Sequence, residues 1–134
     1  MPTESIEVSG FVPAQPDVVF QGFLSSEVHT QMTGGEAVIH STEEGGTFQA
    51  WGGFIQGVHV TLEPNSRLIQ RWRTGSFADS DEDSLLEISL HVVDGGTRVD
   101  IRHSNIPEGQ GKDYQQGWHD RYLTPMHHYF SKQS

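Results

Sequence analysis

A chain of 134 residues with 34 % hydrophobic side chains and 15 glycines is expected to form one domain, residues 1–134, with a core of useful size and many turns. Its 18 acidic against 8 basic side chains give a formal charge of −10, a field that repels phosphate backbones and anionic membranes, so neither nucleic acid nor membrane insertion is expected. The chain has no cysteine, which removes disulfides, thiol nucleophiles and thiolate metal sites; with no basic and apolar leader at its start and no run of membrane-spanning length, a cytoplasmic location is expected.

Ser5 to Val12 alternates, with Ile6, Val8 and Val12 opposite Glu7 and Ser9, the pattern of a half-buried strand. Pro13 and Pro16 stop it, and from Asp17 the spacing turns helical, with Val19, Phe20, Phe23 and Leu24 on one face. Ser26 reads as the N-cap of a second short helix that runs to Met32 and closes at Gly34 and Gly35. Strands follow at Glu36 to His40, Thr47 to Trp51, Phe54 to Leu62 and Arg67 to Thr74, divided by glycine and Pro64-Asn65-Ser66 turns. Ser76 to Asp83 is an acidic, solvated loop. Leu85 to Val93 then places Leu86, Ile88, Leu90 and Val92 inward, and Thr97 to Ser104 places Val99, Ile101 and His103 inward.

The longest amphipathic pattern is Asp113 to Phe130. At about 100° per residue, Tyr114, Trp118, Tyr122, Met126, Tyr129 and Phe130 form one stripe, with Gln115 and His119 on its flank beside Tyr122 and Phe130. Pro125 removes the bond back to the Arg121 carbonyl, so a kink is expected there. A face this aromatic needs a sheet to cover it.

Eight histidines call for a test of metal binding, but none has the spacing of a helical chelate, and His29, His59, His103 and His119 share no motif. There is no GxGxxG, P-loop or GxSxG context either, so no cofactor, metal or catalytic residue is nominated. The aromatics Phe48, Trp51, Phe54, Trp72, Trp118, Tyr122 and Tyr129 are numerous for so small a core. They either fill the space between helix and sheet or wall a pocket for a small molecule.

The phrases FVPAQPDVVFQGFLSS, GGTFQAWGGFIQGVHVTLEPNSRLIQRWRT, LEISLHVVDGGTRVDIRHSNIP and GWHDRYLTPMHHYF, in this order, resemble the START-like, Bet v 1-like (SRPBCC) superfamily. Within it they are similar to the domain typified by the C-terminal half of the activator of Hsp90 ATPase, over essentially the whole chain. The resemblance implies an α+β helix-grip fold: a seven-stranded antiparallel sheet wrapped around a long C-terminal helix, with two short helices after the first strand. It also implies a hydrophobic cavity between sheet and helix. The chaperone activator carries a separate N-terminal domain, for which a single 134-residue domain has no room.

The expected function is therefore binding of a small apolar molecule, with Phe54, Trp72, Trp118, Tyr122 and Met126 as walls and His103 and His119 as polar contacts. A stand-alone Hsp90-activator-like interaction module, with a chaperone as partner, is the alternative. A cyclase- or hydrolase-like enzyme using a cavity histidine as its base is a further one.

Overall fold

The computed structural model describes residues 2–132. Seven antiparallel strands form one sheet in the order β1-β7-β6-β5-β4-β3-β2, with β1 at Thr3–Val12, β2 at Val38–Ile39, β3 at Thr47–Ala50, β4 at Ile55–Glu63, β5 at Arg67–Thr74, β6 at Ser84–Val93 and β7 at Gly96–Pro107. Two short helices, α1 (Pro16–Leu24) and α2 (Ser26–Thr33), follow β1. The chain ends in α3, residues 111–131. This is the helix-grip arrangement expected from the resemblance.

Alternation decides which sheet face is covered. Leu86, Ile88 and Leu90 of β6 lie opposite His103, Ile101 and Val99 of β7, and all six are buried. Trp72 of β5 joins them, and Trp118, Tyr122, Leu123, Met126 and Phe130 of α3 press on this face. Val19, Phe20 and Phe23 of α1 and Met32 of α2 complete the core. The inward row of β6 ends at Leu90. Val92, expected inward, is 74 % exposed because it sits at the tip of the β6–β7 hairpin, past the cover of the helices.

The second helix starts one residue earlier than the sequence suggests. Ser25, in extended conformation, is the cap and accepts from the Val28 amide at 3.1 Å. Ser26 instead accepts from the Ile39 amide at 2.8 Å and ties α2 to β2. Gly34, at φ 86°, closes the helix in the left-handed region as its residue type demands.

The helix α3 is not α-helical throughout. It is α-helical over Gly111–Gly117 and Thr124–Ser131, and over Trp118–Leu123 it widens into a π turn, the Thr124 amide bonding the His119 carbonyl. The disturbance expected at Pro125 thus lies in the turn before it, and Pro125 sits in the first turn of the α-helical stretch that follows, where no amide is needed. In a regular α-helix every fourth residue drifts by about 40°. The π turn unwinds that drift, so Trp118, Tyr122, Met126 and Phe130 stay on one buried line. The same unwinding draws Tyr122 and Phe130 away from Gln115 and His119, which are both exposed, and corrects their expected place on the flank of the stripe.

Candidate functional site

The N-terminal half of α3 does not close fully on the sheet. Between it, the β3–β4 connection and the end of β5 lies an open cleft of about 410 Å³. Its floor is Trp72, Trp118, Tyr122 and Ile55, and its upper wall is Trp51, Phe54 and Tyr114. Ring centroids of 4.7 Å for Trp118–Tyr122 and 5.9 Å for Trp72–Trp118 link the rings of the floor, and Tyr114 stands edge-on to Trp72 at 5.0 Å. The polar residues on the cleft are Ser76, Gln110, Asp113 and Arg121, with Gly117 between the last two along α3.

Hydrogen bonds hold the floor from behind. The Trp118 Nε1 donates to His103 Nδ1 at 3.2 Å, which leaves the imidazole proton on Nε2 to donate to Ser84 Oγ at 2.7 Å. Ser84 in turn donates to the Trp72 carbonyl at 2.7 Å. Burial pushes the His103 pKa down from 6.5 to about 3, so the ring stays neutral and the relay keeps one direction. A second relay supports Tyr122, whose hydroxyl donates to His29 Nε2 at 2.9 Å, while His29 Nδ1 donates to the Phe23 carbonyl at 3.3 Å. Burial moves the two groups in opposite directions, Tyr122 upward and His29 down to about 4. At the mouth, Tyr114 Oη lies 2.6 Å from both Thr74 Oγ1 and Gln110 Oε1.

Trp51 is held differently. It is a tryptophan in the left-handed region at φ 52°, followed by Gly52 at 68° and Gly53 at 93°. Such a conformation in a bulky residue costs on the order of 1–3 kcal/mol and persists only where its surroundings impose it. The surroundings here are Gly35, where a Cβ would come within 2.3 Å of the indole, and Arg121, whose guanidinium lies 5.1 Å over the ring. The buried Trp51 Nε1 makes no hydrogen bond among the described residues.

Of the residues expected at the site, Phe54, Trp72, Trp118 and Tyr122 border the cleft. Met126 does not: it is fully buried one turn beyond Tyr122, packed in the core. His103 lies behind Trp72 and Trp118 with no exposed surface and both ring nitrogens engaged, so it supports the wall rather than touching an occupant. His119 faces solvent because of the π turn. In place of the expected cavity between sheet and helix there is an open cleft at one end of that interface, since Met126, Leu86, Ile88 and Ile101 fill the remainder. The residues missed are Trp51, Ile55, Ser76, Gln110, Asp113, Tyr114, Gly117 and Arg121. For those at or on α3 a row spacing of four was the signal: Gln110, Tyr114, Trp118, Tyr122 and, beside them, Asp113, Gly117, Arg121. Among the described residues no group of three histidine, aspartate or glutamate side chains could hold a metal ion.

Residues 13–131 match the family of the Activator of Hsp90 ATPase homolog 1-like protein. The chain belongs to that family. Relatives of this family include the activator of 90 kDa heat shock protein ATPase homolog of Dictyostelium discoideum, 38 % identical over 94 residues, which make up 69 % of this chain and 24 % of that protein. The human homolog 1 is 24 % identical over 125 residues, 92 % of this chain and 36 % of that protein. The chain therefore spans between about a quarter and a little over a third of the length of these relatives. In three dimensions it is similar to the crystal structure of PFC0360w, an HSP90 activator from Plasmodium falciparum, with a TM-score of 0.81 at 22 % identity over 90 % of this chain and 91 % of that one. At that identity the likeness is one of fold. No helix among the described residues is long and apolar enough to cross a membrane.

Proposed function

We propose that this family member acts as a single unit that binds a small, largely apolar molecule in the cleft beside α3. The observation that carries the reading is the aromatic cleft itself, of about 410 Å³, with two buried histidine relays that fix its floor. That size and make-up suit a small-molecule site, where ring faces supply affinity and a few polar groups supply orientation. Histidine base catalysis finds no support in this geometry, because His103 is sealed behind the floor and His119 points away.

The neutral probe N-phenyl-1-naphthylamine should bind with micromolar affinity and quench tryptophan emission. Phe54 is 48 % exposed at the mouth, so Phe54→Ala should weaken the probe by about five- to tenfold and leave the melting temperature unchanged. No saturable binding by the parent protein would end the ligand reading. Trp118→Ala is a poor test, since that ring is buried and bonded to His103, and its loss should cost about 3–5 kcal/mol of stability.

A second reading is favoured by the relatives. A homologue 38 % identical is an activator of the 90 kDa heat shock protein ATPase, and a fold likeness of 0.81 is to an HSP90 activator. On this reading the chain contacts an Hsp90-type chaperone through its surface. Stimulation of an Hsp90 ATPase by the purified chain, undiminished in Phe54→Ala, would assign the activity to that surface; no stimulation would remove this reading.

A further inference from the structure

The geometry points to a planar aromatic anion as the occupant of the cleft, its acid group paired with Arg121 and its ring system lying over Gly117. The inference rests on the ligand reading above and narrows it to a chemical class.

Gly117 is the first observation. It stands inside α3 at φ −63° and ψ −37°, ordinary helical angles that any residue adopts. A Cβ added there meets nothing within 4 Å. Neither backbone conformation nor packing therefore calls for glycine, and glycine inside a helix is less favourable than alanine by about 0.5–1 kcal/mol. What it contributes is space, and that space is part of the cleft.

Arg121, one turn further along the same rim, is the second. Among the described residues it is the only cationic side chain on the cleft wall. In a chain with 18 acidic residues it forms no ion pair among the described residues. Asp120, its neighbour in sequence, is hydrogen-bonded to Gln116 at 2.9 Å instead. The guanidinium is steadied over Trp51 at 5.1 Å, which leaves its N–H edge free to meet a carboxylate or sulfonate in two-pronged geometry.

Asp113 is the third. It occupies the opposite end of the same row, about 12 Å from Arg121 along the helix. An anion is therefore attracted at one end and repelled at the other, which fixes its direction in the cleft. Between the two ends lie the rings of Trp72, Tyr114 and Trp118, with Trp72 and Tyr114 at 82° to each other, so a flat ring can meet both an aromatic face and an aromatic edge.

Two probes that share one skeleton test this. 8-Anilinonaphthalene-1-sulfonate carries the acid group, and N-phenyl-1-naphthylamine lacks it. Because the whole chain carries −10, its general field opposes the anion, and any preference for the sulfonate has to come from a local cation. The sulfonate should bind the folded protein at least about tenfold more tightly than the neutral probe. Arg121→Gln should abolish that preference and barely change the neutral probe, and Arg121→Lys, which keeps the charge but not the two-pronged geometry, should retain part of it. Gly117→Leu should exclude both probes while the circular dichroism and melting temperature stay at or above the parent's. Gly117→Ala should fold at least as well as the parent and weaken both probes in part.

Equal binding of the two probes, with Arg121→Gln changing neither, overturns the anion assignment and leaves the ligand reading standing. Undiminished binding to folded Gly117→Leu overturns both, since the probes would then sit elsewhere. Failure of both probes to bind the parent does the same.

Discussion

His103 is a residue whose chemistry the sequence suggested and whose role its neighbours changed. As a strand residue facing inward it reads as a polar contact for a ligand; in the fold it accepts from Trp118 and donates to Ser84. Protonating Nδ1 would set an N–H against the indole N–H, and burial already holds the pKa near 3. The folded pKa lies below the ordinary 6.5, so the unfolded chain binds more protons between these values. The contribution to stability is complete above about pH 6.5 and is lost as pH falls toward 3, at about 1.4 kcal/mol per pH unit. His29, pushed down to about 4, adds a loss of the same sign over a shorter range. Proton NMR of the His103 ring should show no titration between pH 8 and 5. A midpoint near 6.5 would dismantle the relay and the argument for a rigid cleft floor.

At the scale of the element, α3 departs from the rule by which it was read. A steady 100° per residue placed His119 near Tyr122 and Phe130, whereas the π turn at Trp118–Leu123 keeps Trp118, Tyr122, Met126 and Phe130 in line and turns His119 outward. Met126→Ala should therefore cost about 2–5 kcal/mol in urea unfolding, and His119→Ala should stay within about 0.5 kcal/mol of the parent. Comparable losses from both would restore the unbroken helix. The strands departed less from expectation. Leu86, Ile88, Val99 and Ile101 face α3 as their alternation requires, because a period of two leaves no choice of face once one side is covered.

The whole molecule carries −10, and its ion pairs, such as Arg67–Glu63 at 2.7 Å and Arg73–Asp83 at 2.9 Å, lie at the partly exposed surface. Pairs so placed contribute little each, while the excess of acidic groups repels itself across the surface. Raising sodium chloride from about 10 to 200 mM should therefore raise the melting temperature by a few degrees, as screening weakens the general repulsion more than the few attractions. A fall in melting temperature would mean that the surface pairs dominate.

The amino-acid sequence by itself determined the strand faces, the two short helices, the aromatic side of α3 and the family pattern spread over the chain. Each of these rests on local periodicity or on turn residues such as Gly34, whose left-handed φ is a property of glycine. Three cleft residues, Trp72, Trp118 and Tyr122, were legible because large aromatics on an inward face must gather somewhere, and Phe54 was legible as part of the same aromatic set although it stands exposed at the mouth. Only the tertiary structure decided the rest. It set the helix phase through the π turn, sealed His103 and Met126 behind the cleft, and brought Trp51, Gly35 and Arg121 together from three separate segments. Such placements come from packing between parts of the chain far apart in sequence, which no local period encodes.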